Sequence, residues 1–155
     1  MSDSKQLFSI NDLMPVIKEA IAAGSSIRFT VTGISMTPLL INRRDSVVLS
    51  APRDIKKYDI VLHQRANGDY ILHRVIGKKG DILTIAGDNE IQKEKGVHIS
   101  CVIGKVVAFT RKGKSYTGSE LWYKIYSRVW LLIFPFRYSV MAFLRAIGRW
   151  LAWIK

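Results

Sequence analysis

The sequence predicts a mainly β fold: a small antiparallel barrel or sandwich, with a short helix before it and an amphipathic helical segment after it. Three observations carry this. Between Ser26 and Phe109 the apolar residues recur at a period of two, as where Ile27, Phe29 and Val31 alternate with Arg28, Thr30 and Thr32. The strand candidates there are short, rich in β-branched and aromatic residues, and separated by no helical stretch. On both sides of this region the period becomes helical. The chain accordingly divides into an N-terminal helix (1–25), a β core (26–110) and a basic, aromatic helical tail (111–155).

Residues 1–8 read as a loose start. Leu13, Val16, Ile17, Ala20 and Ile21 then place one apolar stripe on a helix over Asp12 to Ala23, capped by Asn11 or Asp12 and ended by Gly24. Pro15 is tolerated near its start. Further strands are expected at Ser46–Ser50, Asp59–Gln64, Tyr70–Ile76, Ile82–Ala86 and Val102–Phe109. Asn67-Gly68 favours a tight hairpin turn, and Lys79-Gly80-Asp81 marks another. Arg111 to Gly118 reads as a polar linker. Ser119 to Lys155 reads as a broken helix or helical hairpin, with Pro135 at the break.

Composition narrows the function classes. A length of 155 residues suits one domain with an appendage, and 48% hydrophobic residues exclude global disorder. Cys101 is the only cysteine, so neither an internal disulfide nor a cysteine zinc cluster can form, and it reads as a buried small hydrophobe. His63, His73 and His98 leave room only for a weaker metal site. The net charge of +12 is uneven: residues 1–110 carry 15 basic against 11 acidic side chains, residues 111–155 carry 9 against 1. On a helical wheel of the tail, Arg137, Arg145, Gly148 and Arg149 oppose Phe143, Ile147, Trp150, Leu151 and Ile154. That is the pattern of a helix lying in a membrane interface; a helix packed on the β domain or on a partner is the alternative. The longest charge-free apolar run there, Val129–Phe136, is too short to span a bilayer. The first thirty residues offer no apolar stretch of signal-peptide length.

Three polar residues form a candidate nucleophilic set. Ser35 follows a strand and Gly33, and Pro38 stiffens the chain after it. His73 falls on the face of its strand shared with Ile71 and Val75, and a neutral imidazole can activate a serine hydroxyl. His63 and His98 are its competitors. Asp88, in the turn Gly87-Asp88-Asn89, could orient the imidazole as the third member of a triad; Glu94 is the alternative carboxylate.

Ser35-Met36-Thr37-Pro38, Asp59-Ile60-Val61, His73-Arg74-Val75, Gly87-Asp88-Asn89 and Gly104-Lys105-Val106, in this order, resemble the boxes of type I signal peptidases over about residues 28–109. Histidine before Arg74 resembles the endoplasmic-reticulum-like branch, where a Ser/His pair replaces Ser/Lys. The resemblance implies a β domain of signal-peptidase type, Ser35 as nucleophile, His73 as general base and Asp88 or Glu94 as acidic partner. It implies no metal or organic cofactor. The implied substrate is a signal or leader peptide with small residues before the cleavage point, bound as an extended strand beside the nucleophile strand. Two features depart from the family. Gly33 stands where many bacterial members have a hydroxyl for the oxyanion, which leaves backbone N–H groups such as that of Ser35. The membrane span usual before the serine is not found, so membrane association is expected through the tail, on a side of the membrane that the sequence leaves open. Precursor peptides and lipids are the expected partners, and nucleic acid is not. The rivals are a non-catalytic basic protein binding RNA or lipid on the same fold, and a self-cleaving-repressor-like regulator, which residues 1–24 make too short for a helix-turn-helix.

Overall fold

Eight antiparallel strands form one open sheet in the computed structural model, which describes residues 10–153. The expected loose start at 1–8 and Ile154 of the tail's apolar face lie outside the described residues. The strands are β1 (Ile27–Thr30), β2 (Ser46–Ser50), β3 (Ile60–Gln64), β4 (Tyr70–Lys79), β5 (Ile82–Ala86), β6 (Glu94–His98), β7 (Val102–Arg111) and β8 (Lys114–Thr117). Their order is β1-β2-β7-β3-β4-β5-β6, with β8 paired to the end of β7. Helix α1 (Ile10–Ala22) precedes them, and α2 (Leu121–Leu132) and α3 (Arg137–Trp153) follow.

Strands β2 and β5 match the expected bounds, whereas β4 and β7 run longer. Two strands were not expected. Strand β6 is polar (Glu-Lys-Gly-Val-His) and offers little alternation to read. Strand β8 replaces the expected linker: Lys112 takes φ +50 and Gly113 φ +78, and such a pair of left-handed residues turns a tight hairpin. Helix α1 begins at Ile10, so Asn11 and Asp12 lie in its first turn instead of capping it. At its other end Gly24, at φ +76, lets the Ser25 N–H reach back to the Ala20 carbonyl at 2.9 Å.

Register shifts in four strand pairs curl the sheet, and β3 and β4 become buried on both faces. One face packs Ile60, Leu62 and Leu72 with Phe109 of β7 and Ile17 of α1. The other packs Val61 and Val75 with Leu83, Ile85 and Val102. Gly104 allows the first layer to close: a Cβ there would meet Leu49 at 2.7 Å and Ile21 at 2.9 Å. Cys101 is half-buried in a short turn before β7.

Pro135 falls in a single 3₁₀ turn between α2 and α3, as its missing N–H requires. Tyr123, Ser127 and Trp130 form the inward face of α2, while Leu121, Ile125, Val129 and Leu132 point outward. No helix among the described residues is long and apolar enough to cross a membrane.

Candidate active site

The serine loop is pinned from below. Met36, Leu39 and Leu40 are fully buried, and Asp45 closes the loop by accepting from the Ile41 N–H at 2.8 Å and from Arg44. Gly33 takes φ +93 and donates to Asn42 Oδ1; the Thr37–Pro38 bond is cis. Ser35 is thereby held half-buried on the wall of a cleft of about 410 Å³. Among the described residues its N–H and hydroxyl make no hydrogen bond. The opposite wall comes from Tyr70–Leu72 of β4 and from Asn89 and Glu90.

The turn after β5 binds to the serine loop through backbone. The Asn89 N–H donates to the Ser35 carbonyl at 2.7 Å, and a Cβ on Gly87 would lie 2.7 Å from that same oxygen. Glycine at 87 is therefore a close-approach residue. Asp88 is not the partner of His73. Its carboxylate takes two parallel bonds from Arg74, both 2.8 Å, and a third from the Tyr126 hydroxyl at 3.0 Å. Strand alternation explains this correction. His73 and Arg74 are adjacent and point to opposite faces; Ala86 pairs with Arg74, and Asp88, two residues further, returns to the same face. Burial works against charge on Arg74, but Asp88 more than offsets it and holds the guanidinium protonated. Trp130 Nε1 on the Asp88 carbonyl and Arg137 on the Gly87 and Glu90 carbonyls tie both tail helices to this turn. Arg137 is thus buried at 2% exposure, not at a headgroup as the wheel suggested.

His73, fully buried, lies between two glutamates. Glu94 Oε1 is 3.2 Å from Nδ1 and Glu90 Oε2 is 3.4 Å from Nε2, ion-pair distances without hydrogen-bond alignment. The His73 imidazole holds the Glu90 carboxyl below its ordinary value. Burial opposes the charge on Glu94, yet Arg65, bonded to it, holds its carboxyl low as well. Strand β6 brings Glu94 there, since Val75, Ile85 and Glu94 line up across β4, β5 and β6 on the His73 face. His63 joins the cluster diagonally, its ring centroid 5.9 Å from that of His73, and burial pushes its imidazole down to about 4. His98 is elsewhere, bonded to Ser100.

The structure thus brings Ser35 and Glu90 to one cleft, Glu90 and Glu94 to His73, and Asp88 to Arg74. Glu90 was not anticipated. Its only sequence signal is its place two residues after Asp88, in a turn that had to face something. No protein-family model matches the chain, and no curated protein is significantly similar to it. Fold and site define an antiparallel β domain with a serine-lined cleft, a buried histidine–glutamate cluster that Glu90 joins to it, and a basic helical tail bonded to the cleft's turn.

Proposed function

We propose that this protein is a serine endopeptidase of signal-peptidase type, with a β domain of that family's kind, cleaving signal or leader peptides after small residues at a membrane surface. The observation that carries the reading is the shared cleft: Ser35 and Glu90 line it together, and Glu90 stands at His73 Nε2. Ser35 Oγ attacks the scissile carbonyl as His73 takes its proton; His73 gives that proton to the amine as the C–N bond breaks, and water, with His73 again as base, hydrolyses the acyl-enzyme to the free carboxylate and returns the proton to Ser35. Glu94 at Nδ1 orients the imidazole and stabilises its cation, the part sequence reading left between Asp88 and Glu94. Glu90, about one-third exposed, swings aside as substrate enters, which frees Nε2 for the serine. The N–H of Ser35 serves the oxyanion.

Substrate geometry follows from the sheet. Among the described residues strand β1 pairs only with β2, and its other edge carries no strand beside the cleft. An extended peptide adds there as a further strand, held by backbone bonds with little reading of side chains. Beyond Glu90 a second cavity of about 600 Å³ continues along Ile91 and Arg137, giving room for residues past the cut.

The tail holds the enzyme on lipid. Leu121, Ile125, Val129 and Leu132 of α2, with Phe143 and Trp150 of α3, are exposed in the segment 111–155, whose 9 basic side chains stand against 1 acidic. Exposed apolar rows flanked by basic residues suit an anionic membrane interface. The test is cleavage of a panel of leader-bearing precursors by wild type, Ser35→Ala and His73→Ala in lipid. Cutting after a small residue that both variants lose by orders of magnitude supports the reading; equal cutting by Ser35→Ala ends it. Flotation with anionic vesicles checks the tail, and binding only to neutral ones would overturn the interface assignment.

A further inference from the structure

We propose that His63, His73 and Glu94 form a binding site for a divalent transition metal, best suited to Zn²⁺, and that metal bound there switches the peptidase off. The first observation is the donor set. One ligand atom from each residue lies within 4.8 Å of the other two, and two imidazoles with one carboxylate are a ligand combination that zinc takes with a water in its fourth position. The second is independent of the first. His63 and His73 are 1% and 0% exposed, and all four of their ring nitrogens lack an aligned hydrogen-bond partner. Buried polar groups are nearly always satisfied, so two adjacent unsatisfied imidazoles point to a species that takes their lone pairs.

The geometry needs little adjustment. Ligand bonds of about 2.0–2.2 Å set tetrahedral donors roughly 3.3–3.5 Å apart. The His63 Nε2–Glu94 Oε2 distance is 4.0 Å, His73 Nδ1 is 3.2 Å from the other oxygen of the same carboxylate, and one donor from each residue lies within 4.8 Å of the others. Closing the widest pair onto an ion takes a shift of little more than about 1 Å. Glu94 divides its work in a way that fits: Arg65 bonds Oε1, while Oε2 is the oxygen nearest His63. Arg65 can therefore stay on one oxygen and orient the carboxylate while the other ligates, as partners outside a metal's ligand set commonly do. Its positive charge also opposes a second cation, which favours reversible binding over a permanent structural ion.

The inhibitory consequence rests on the peptidase reading. A neutral imidazole that ligates through Nδ1 carries its proton on Nε2, so Nε2 cannot take one from Ser35 and the base is lost. The experiment separates the two claims. Metal-free full-length protein in detergent is titrated with Co²⁺ and its visible absorption followed, for wild type, Ser35→Ala, His63→Gln and Glu94→Gln. The expected result is one tetrahedral Co²⁺ per chain, kept in Ser35→Ala and weakened at least tenfold in both ligand variants. Zn²⁺ raises the melting temperature of wild type, with a smaller rise in Glu94→Gln, which reports on the site even if His63→Gln folds poorly. Precursor cleavage is then read against added Zn²⁺, each protein relative to its own metal-free rate. Zinc silences wild type, and the half-inhibiting concentration rises at least tenfold in His63→Gln or Glu94→Gln. Stoichiometric Co²⁺ binding that neither ligand variant weakens, or no binding, overturns the site. Activation by Zn²⁺ overturns the inhibitory role. Failure to cut any precursor without metal counts against the peptidase reading alone and leaves the Co²⁺ titration to decide the site.

Discussion

His73 and Arg74 are neighbours in β4, yet they look into opposite worlds. On the Arg74 face every charge is answered: two bonds to Asp88, one each to the Tyr58 carbonyl and the Tyr123 hydroxyl, with Tyr126 and Trp130 completing Asp88. On the His73 face four imidazole nitrogens have no aligned partner, and three charged side chains crowd around them. The first arrangement is what holds a fold in one shape; the second keeps groups available for a proton or a metal. One step along the strand separates a fully bonded network from a cluster of unsatisfied imidazoles.

The comparison breaks most sharply in activity. If the proposed peptidase reading holds, Ser35→Ala or His73→Gln lowers precursor cleavage by about a thousandfold or more, the size of effect that loss of a nucleophile or base gives. Urea unfolding of His73→Gln changes by no more than about 1 kcal/mol, because no aligned hydrogen bond is lost; a large loss of stability there would erase the distinction between the faces.

On the other face the balance reverses. Arg74→Met strands the Asp88 carboxylate in the interior and lowers unfolding free energy by about 3–5 kcal/mol. Arg74→Met combined with Asp88→Leu restores much of it, and a double-mutant cycle gives the coupling. If the double variant is as unstable as the two singles added together, the pair does not act as a unit.

Gly87→Ala tests the seam between the two centres. Its Cβ would press on the Ser35 carbonyl, so stability falls by about 1–3 kcal/mol and cleavage drops further than stability alone explains. Circular dichroism melts beside turnover rates separate the two effects.

Asp45 sharpens the picture by pH. Burial opposes its charge, but Arg44 and the N–H groups of Ile41 and Lys112 hold its carboxyl below the ordinary 3.8. A lowered folded value means that its stabilisation is complete above the unfolded value and is lost as pH falls from near 3.8 toward the folded value. Asp45→Asn loses about 1–2 kcal/mol at neutral pH and flattens that acid limb, measured by melting temperature against pH. The smallest effect is expected from Trp130→Phe, which removes one bond to the Asp88 carbonyl and about 1 kcal/mol.

Much of this was readable from residue order. Periodicity located α1, six of the eight strands and the break at Pro135, because each rests on local geometry that neighbouring residues set. Ser35 and His73 stood out as a pair, and His73 does share the face of Val75. The polar strands β6 and β8 did not stand out, because pairing with β5 and β7 supplies what their own patterns lack.

The partners of the charged groups belong to tertiary structure alone. Motif order suggested Asp88, with Glu94 as the alternative, for His73, whereas strand alternation points His73 and its neighbour Arg74 to opposite faces. Which of them Asp88 serves depends on the β4–β5 register, and which glutamates replace it depends on a strand that only pairing creates. The buried Arg137 is the same lesson at longer range. A helical wheel sorts residues by angle around one axis, but what lies opposite an arginine, solvent or the carbonyls of Gly87 and Glu90, is decided by where the helix lands.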